Sequence, residues 1–338
     1  MTATDPTGPA PEPALDPRTE AEHRLGGRYR ALVLEPSPPA VGEPWFADDP
    51  VRPGPLERDA DRPVVSPVGN GDATWAELCA DDADLAAWCA DRSLAAWRPL
   101  PATLPSTFVS TRLALHAVAE HVVCPARFHA NGKIGLRFTR AGFGTPFFWG
   151  GGDTRQVRVE AGQLVVADGG GLHRHAVTTL GDAAVAAGVA LGAPTEVFTP
   201  TTAADPDTPL AVDRASARLL GEWFGLAAAA LEQVRADLPE ADPPARVQLW
   251  PEHFDLATDL GTEADGSRLT FGASPGDAAN PEPYLYVLPW AEVERGGFWN
   301  ADSFTGALLP YAALAGVADP RAAALDFFRA GKEALDAR

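Results

Sequence analysis

Residues 213–238 carry the most regular apolar pattern in the chain, and this pattern defines one element of the fold. The apolar positions follow each other in alternating steps of four and three, and they are Leu220, Phe224, Ala227, Leu231, Val234 and Leu238. This spacing places them on one face of an α-helix. Three more apolar residues widen that face, namely Leu219, Trp223 and Leu226. We predict a long helix that ends at Pro239 and is covered on two sides.

Two more helices are predicted from their end signals. One covers residues 107–124, with Ser106 as its cap and Pro125 as its end. The other covers residues 320–336, where Asp319 caps the helix and a proline takes the first helical position. Both stretches carry apolar residues at helical spacing.

Strand patterns follow the predicted helices at 107–124 and 213–238. Residues 133–140 alternate apolar and polar positions, and a hairpin is expected at 156–167 with Ala161 and Gly162 at its turn. Residues 247–290 hold the densest set of aromatic and strand-forming residues, with strands predicted at 247–256, 268–273 and 284–288.

These elements predict an α+β fold in which a mostly antiparallel sheet is packed by helices. The order helix, strand, glycine-rich bend, strand occurs at 106–168 and again at 213–290, which is compatible with an internal helix-strand-strand duplication. The α+β domain would span residues 106–338, with 106–200 and 213–338 as its two halves under that hypothesis.

The N-terminal region has a different composition. Residues 1–70 are rich in proline and poor in large apolar residues, so we expect a disordered or extended segment. Residues 71–105 are expected to form a short helical preface, because Thr74 and Glu77 make a capping box.

Composition excludes several classes of partner. The formal net charge of −19 disfavours nucleic acid and anionic membrane surfaces, which attract Lys and Arg. The start of the chain lacks a signal-peptide pattern, and three sparse cysteines do not suggest a disulfide framework, so we expect a soluble cytoplasmic protein. We predict no cofactor and no metal. A small-molecule partner and the oligomeric state stay open.

Several segments together resemble domain-of-unknown-function family 5996. These segments are QLWPEHFDLA at 248–257, FGASPGD at 271–277, EPYLYVLPW at 282–290, FWNADSFTGALLPYAAL at 298–314 with the following Asp319-Pro320, and GLRFTRAGFGTPFF at 135–148. The resemblance covers roughly residues 106–336. It implies a fold and no chemistry.

The run Trp250 to Asp255 is the most chemically dense in the chain. On an extended strand His253 and Asp255 would project from one face, so the carboxylate could orient the imidazole for acid-base work, with Glu252 or Asp277 contributing. The alternative is a buried histidine that is hydrogen-bonded to its neighbouring carboxylate and only fixes strand geometry. Two ligands alone do not make a metal site.

The aromatic residues nearby also admit two interpretations. Trp250, Tyr284, Tyr286 and Trp290 could line a ligand pocket, or they could fill the core. Tyr284 and Tyr286 would share one face of their strand.

Three motif matches are rejected as catalytic signatures. His116 and His121 are five residues apart, so they lie on different helix faces and do not make a zincin motif. His116 and Glu120 are expected to be a polar pair on a semi-exposed helix face. These two residues and His121 could also approach His253 in space. The serine of the G-x-S-x-G match at 272–276 precedes a proline, which cannot supply an oxyanion N–H. The His-x-His at 173–175 is expected to lie in a surface loop.

No motif names a reaction, and two hypotheses remain. The first is a non-catalytic binding or structural module with an aromatic-lined surface or pocket. The alternative is a small-molecule enzyme in which His253 is the general acid or base, oriented by Asp255.

Overall fold

The computed structural model describes residue 83 and residues 100–338, apart from residues 140, 141, 147, 151, 152, 170, 239, 240 and 242–244. The disordered or extended segment predicted for residues 1–70 and the helix predicted to begin at Thr74 lie outside the described residues.

The helices of the described chain are α1 (Phe108–Val118), α2 (Cys124–Asn131), α3 (Leu180–Ala187), α4 (Arg214–Asp237), α5 (Tyr311–Leu314) and α6 (Pro320–Asp336). One π-helical turn (Ala119–Val123) joins α1 to α2. Pro125 therefore does not end the helix as predicted. The wider π turn before Pro125 accommodates its missing N–H, and the helix continues until Gly132 adopts a left-handed conformation with φ 76°.

The strands form two antiparallel sheets. The strands are β1 (Arg137–Thr139), β2 (Gly142–Gly144), β3 (Phe148–Gly150), β4 (Asp153–Glu160), β5 (Gln163–Asp168), β6 (Gly171–Ala176), β7 (Gln248–Trp250), β8 (Asp255–Leu260), β9 (Leu269–Ser274), β10 (Tyr284–Pro289) and β11 (Ala307–Pro310). The first sheet has the order β1-β2-β4-β5-β6, with β3 paired to β4, and the second has the order β11-β10-β9-β8-β7. The predicted α+β class with antiparallel sheets is confirmed.

A single β-bridge joins the two sheets at their edges. The N–H of Leu136 donates to the carbonyl of Leu249 at 2.8 Å, and the N–H of Leu249 donates back at 2.9 Å. The bridge lies directly before β1 and inside β7, so the edge strand of each sheet is paired with that of the other. Pairing protects edges that would otherwise expose free backbone groups.

Helix α4 lies at the centre of the core, as its apolar stripe predicts. Asp213 caps it by accepting from the N–H of Ser216 at 2.9 Å, and the helix contacts β1, β2 and β4 of the first sheet as well as β8 and β9 of the second. Phe224 is fully buried and meets Phe143 of β2 and Phe254 edge-on, at centroid distances of 6.5 and 5.5 Å. The prediction that α4 is covered on two sides is correct.

The C-terminal helix follows its end signals closely. Asp319 caps α6 through the N–H of Ala322 at 2.9 Å, and Pro320 is its first residue. Phe328 of α6 is fully buried and packs edge-on against Phe271 of β9, with ring centroids 5.6 Å apart. Helix α6 thus covers part of the second sheet.

A helix precedes an antiparallel sheet in both halves of the described chain. The first sheet follows α1 and α2, and the second follows α4. An internal duplication, and with it a division at residues 200–213, stays a prediction. Within the described residues, we find no helix that combines the length and the apolar character needed to cross a membrane.

We predict that Phe224→Ala destabilises the whole domain, because it removes the ring that contacts both Phe143 and Phe254. The expected loss in the free energy of unfolding is about 3–5 kcal/mol. Urea denaturation followed by circular dichroism measures it. Leu113→Ala is the matched control, since Leu113 is 48% exposed, and its effect should stay within about 0.5 kcal/mol. Equal effects of the two substitutions would contradict the central role of Phe224.

Candidate functional site

The run Trp250 to Asp255 forms a hairpin turn, whereas an extended strand was predicted. Trp250 at the end of β7 pairs with Asp255 at the start of β8. The N–H of Phe254 donates to the carbonyl of Trp250 at 2.7 Å. Phe254 has a positive φ of 55°, which reverses the chain. As a result His253 is exposed and Asp255 is buried, so the expected common strand face for these two side chains is wrong.

Burial of the Phe254 ring explains this unusual backbone. The ring packs edge-on against Phe143 and Phe224, and it stacks on the imidazole of His116 with centroids 5.0 Å apart and planes within 7°. A left-handed conformation costs a non-glycine residue about 1–3 kcal/mol. Burying a phenylalanine contributes about 1.5–3 kcal/mol, and the ring contacts add to that. Packing therefore sets the shape of the turn.

Asp255 holds a buried carboxyl group that is only half satisfied. Its Oδ2 accepts a hydrogen bond from the hydroxyl of Tyr286, whereas its Oδ1 is buried and has no hydrogen-bond partner in the described structure. The residue is 6% exposed. Burial raises the pKa of Asp255, and the nearby His253 and the Tyr286 hydroxyl oppose that rise.

Tyr286 reaches Asp255 across a glycine. A Cβ atom at Gly272 would lie 2.1 Å from Cζ of the Tyr286 ring, so only glycine leaves the ring its place. Gly272 and Tyr286 are opposite each other in β9 and β10. Burial and the neighbouring Asp255 raise the pKa of Tyr286 well above its ordinary value, so its hydroxyl stays a donor.

Glu252 provides a second unsatisfied carboxyl oxygen next to Asp255. Its side chain is half-buried, and its Oε2 is buried without a hydrogen-bond partner in the part of the chain that the structure describes. Burial raises the pKa of Glu252, and the negative charges of Asp255 and Glu120 raise it further. Among the buried side-chain atoms without a partner in the described chain, the carboxylate oxygens are these two, on Glu252 and Asp255.

A polar stripe of the first helix faces the turn and the adjacent strand ends. The stripe consists of Arg112, His116 and Glu120, spaced by four residues. The guanidinium Nη1 of Arg112 donates to the carbonyl of Gly276 at 2.5 Å. His116 Nε2 lies 2.9 Å from the carbonyl of Pro251, which can only accept, so Nε2 carries the proton. The stripe therefore anchors two loops of the second sheet.

The polar pair of His116 and Glu120 is buried, contrary to the predicted semi-exposed face. His116 is 7% exposed, and Glu120 is fully buried. Their nearest side-chain atoms are 3.6 Å apart. Burial lowers the pKa of His116, and Glu120 opposes this shift. A neutral His116 that donates to Pro251 serves to position the turn.

Glu120 and His121 in the π turn hold a long loop. The carboxylate of Glu120 accepts from the N–H and the hydroxyl groups of Thr201 and Thr202. His121 Nδ1 accepts from the N–H of Ala193 at 3.1 Å, and its Nε2 lies 3.0 Å from the carbonyl of Thr202. These bonds occupy both side chains, so neither of them completes the site around His253.

Asp277 is likewise occupied by local bonds. Its Oδ1 accepts from the N–H groups of Ala279 and Asn280 at 2.7 and 2.6 Å, and its Oδ2 accepts from the Tyr284 hydroxyl at 2.5 Å. Burial and the bond to Asp277 raise the pKa of Tyr284. Asp277 therefore shapes the loop between β9 and β10 and does not lie free beside His253 as a catalytic residue.

The serine of the G-x-S-x-G match also has a structural bond. Ser274 is the last residue of β9, and its Oγ accepts from the N–H of Gly276 at 3.1 Å. The segment after it contains no helix, since residues 275–283 are irregular. The geometry of a nucleophile elbow is absent from these residues.

Three of the four predicted aromatic residues come together. Tyr284 and Tyr286, with ring centroids 6.1 Å apart, lie on the sheet face opposite the main core and pack with Trp250, which is half-buried. Trp290 lies at the other end of β10 and is 51% exposed, with the Arg268 guanidinium 3.9 Å from its ring centroid. Trp290 therefore lies beyond the cluster that the other three form.

The His-x-His segment lies in a strand and not in the predicted surface loop. Residues 173–175 lie in β6, an edge strand of the first sheet, and both His173 and His175 are exposed. A surface loop was predicted because glycines precede them. Hydrogen bonding to β5 orders the segment instead. In the described part of the chain, no group of three or more His, Cys, Asp and Glu side chains has the arrangement to hold a metal ion.

The site is therefore a cluster of four residues, Trp250, Glu252, His253 and Asp255, which we call the turn cluster. The hydroxyl of Tyr286 donates to Asp255 of this cluster, and His116 donates to the carbonyl of Pro251 in the same turn. Sequence reasoning missed Arg112, although its spacing to His116 and Glu120 follows one helix face and could have indicated a shared role.

The chain matches no protein-family model, no curated protein and no solved structure. The resemblance to family 5996 stays a prediction.

We predict that Asp255→Asn changes how stability depends on pH. Because burial raises the pKa of Asp255 in the folded protein, ionisation of this carboxyl opposes folding. The wild type should lose stability relative to Asp255→Asn as the pH rises from the ordinary carboxyl pKa of about 3.9 through the raised one, by about 1.4 kcal/mol for each unit of the rise.

Urea unfolding at a series of pH values from about 4 to 7 measures this difference. Asp326→Asn is the control, because the Asp326 side chain is 80% exposed, and its difference from wild type should stay nearly flat. A wild type that gains stability over Asp255→Asn with rising pH would show that the carboxyl favours its ionised form.

Proposed function

We propose that the protein is a small-molecule-binding module and that the turn cluster is its ligand site. The observation that carries this proposal is the Oδ1 atom of Asp255, which is buried and has no hydrogen-bond partner within the described structure. A buried oxygen left without a donor costs about 1–3 kcal/mol. A ligand that donates to this oxygen would recover that free energy.

The surroundings of Asp255 support binding from the solvent side. His253 is exposed and Glu252 is half-buried, so solvent reaches the edge of the cluster. Trp250 is half-buried next to Asp255, and its indole provides an apolar surface for a ligand. A few convergent polar groups beside aromatic side chains are typical of small-molecule sites.

Binding without catalysis is favoured because no group orients the imidazole. No hydrogen bond joins the His253 ring to any described residue, and the carboxyl of Asp255 is bonded to Tyr286 instead. An acid-base histidine is normally held by a second group. The acidic sequence also supports the proposal that neither nucleic acid nor a membrane surface is a partner.

A fragment screen by thermal shift tests this proposal. We expect compounds that raise the melting temperature of the wild type but have little effect on Asp255→Asn, because stabilisation follows ligand occupancy. Asp259→Asn is the matched control, since Asp259 belongs to the same strand but its carboxylate already pairs with Arg268 at 2.7 Å. Compounds that stabilise the wild type and Asp255→Asn equally would overturn the proposed site.

One observation favours an enzyme as the second candidate. The exposed His253 lies close to two carboxyl groups, those of Glu252 and Asp255, and burial raises the pKa of both. Perturbed carboxyls beside a histidine are common in acid-base sites. In this case His253 would exchange protons with a bound substrate, and Asp255 would stabilise its charged form.

Turnover of the binding compounds distinguishes the candidates. For an enzyme, His253→Ala should lower the rate by about 10²–10⁴-fold while the compound still binds. Mass spectrometry of incubated compounds detects the product. A rate that is unchanged in His253→Ala, or the lack of any product from compounds that need Asp255 to bind, contradicts the enzyme hypothesis.

A further inference from the structure

We propose that the group held by the turn cluster is an organic cation with N–H donors, such as an amidinium or a protonated primary amine. This inference rests on the proposed function and adds the chemical class of the ligand to it.

The unsatisfied atoms of the cluster are acceptors. Oδ1 of Asp255 and Oε2 of Glu252 are buried without partners in the described structure, and these residues are three apart on one turn. Asp255 contributes to the electrostatic environment of Glu252, so the two carboxyl groups are close in space. A ligand that satisfies both must bring at least two donor hydrogens.

The charges around the two carboxyl groups favour a cationic donor. His116 of α1 contacts the turn, but its Nε2–H is used by the carbonyl of Pro251, and burial lowers its pKa. Arg112 donates to Gly276 and lies beside Asp277 and Tyr284, not against Glu252.

Further side chains near the two carboxyl groups differ in their charge. Glu120 lies near Glu252 and is bonded to Thr201 and Thr202. Cys124, fully buried next to Glu252, has its pKa raised by burial and by that carboxyl, so it stays a neutral thiol, while Arg127 acts in the opposite direction on it. His253, exposed on the turn itself, lies near both carboxyls and opposes the rise in their pKa.

A neutral ligand would satisfy the hydrogen bonds without this charge. A polyol can donate two hydroxyl hydrogens, but it brings no positive charge to the two carboxyl groups. Hydrogen bonds between an N–H cation and a carboxylate are roughly twice as strong as neutral ones. The charge of the cluster therefore favours a cation over a polyol.

The aromatic residues agree with this choice. Trp250, paired with Asp255 at the end of the hairpin, is half-buried, so its indole can contact the ligand. Tyr286 supports the Asp255 carboxyl from the sheet. Cations are attracted to the face of an indole ring, in addition to their attraction to carboxylates.

Benzamidine and benzamide are the probes. They have nearly the same shape, but benzamidine is a cation with two NH2 groups and benzamide is neutral. We expect calorimetric titration of the full chain to give benzamidine at least about tenfold higher affinity, which corresponds to one charge-assisted bond. This preference should shrink toward unity in Asp255→Asn and in Glu252→Gln, and it should persist in Asp259→Asn.

A second readout uses protons. Because burial raises the pKa of both carboxyls, a bound cation that favours their ionised forms should release protons on binding. The measured heat should then depend on the ionisation enthalpy of the buffer for the wild type, and less so for Asp255→Asn. Circular dichroism confirms that each variant is folded, and Glu252→Gln serves if Asp255→Asn is not.

The outcomes separate the two proposals. If benzamide binds as tightly as benzamidine and both need Asp255, or if only neutral compounds from the fragment screen need Asp255, the cation inference is wrong and the binding site stands. If benzamidine binds equally to wild type, Asp255→Asn and Glu252→Gln, the cation inference is wrong. If in addition no fragment depends on Asp255, the proposed function fails as well.

Discussion

The packing of Phe254 is the interaction on which both the core and the candidate site depend. Its ring fills the space between Phe143 of the first sheet, Phe224 of α4 and the imidazole of His116. To place the ring there, the backbone of Phe254 takes a left-handed conformation. This reversal turns a potential strand into a hairpin turn, exposes His253 and buries Asp255. A change in the aromatic core would therefore alter the chemistry of the surface.

Polar side chains of α1 and of the π turn after it form hydrogen bonds that hold nearby loops in place. The carbonyl of Pro251 accepts a hydrogen bond from His116, and the carbonyl of Gly276 accepts one from Arg112. Thr201 and Thr202 donate to the carboxylate of Glu120. The bonds of His116 and Arg112 fix two loops of the second sheet, and those of Glu120 fix the loop between α3 and α4. Once they are made, unsatisfied carboxylate oxygens of the described chain remain in the turn cluster, on Glu252 and Asp255. The site thus arises from what the scaffold leaves unpaired.

The two faces of the second sheet differ in what they contact. One face packs Phe271 against α6 and joins the main core. The other face carries Tyr286, which crosses Gly272 to reach Asp255. Side chains alternate between the faces, so one strand can serve stability and the candidate site together. The bridge between Leu136 and Leu249 keeps the edge of this sheet paired, which holds β7 and the following turn in position.

Local chemistry in the sequence determined the three longest helical segments and several of the strands, whereas the short helices α3 and α5 were not predicted. The stripe of α4 and the cap of α6 depend on residues a few positions apart, and so does the hairpin at Ala161 and Gly162, both of which have positive φ. The continuation of the first helix past Pro125 was missed, because a π turn absorbs the proline.

The candidate site, in contrast, depends on contacts between residues that are far apart in the sequence. The sequence singled out His253 and Asp255, yet it placed them on one strand face and included Asp277 and Trp290, which the fold uses elsewhere. Which carboxyl oxygens keep a partner depends on contacts between α1, the turn and β10, over 100 residues apart in the case of His116 and Pro251. The spacing of residues along the chain indicates local secondary structure. Only tertiary packing decides which polar groups are buried and which remain unsatisfied.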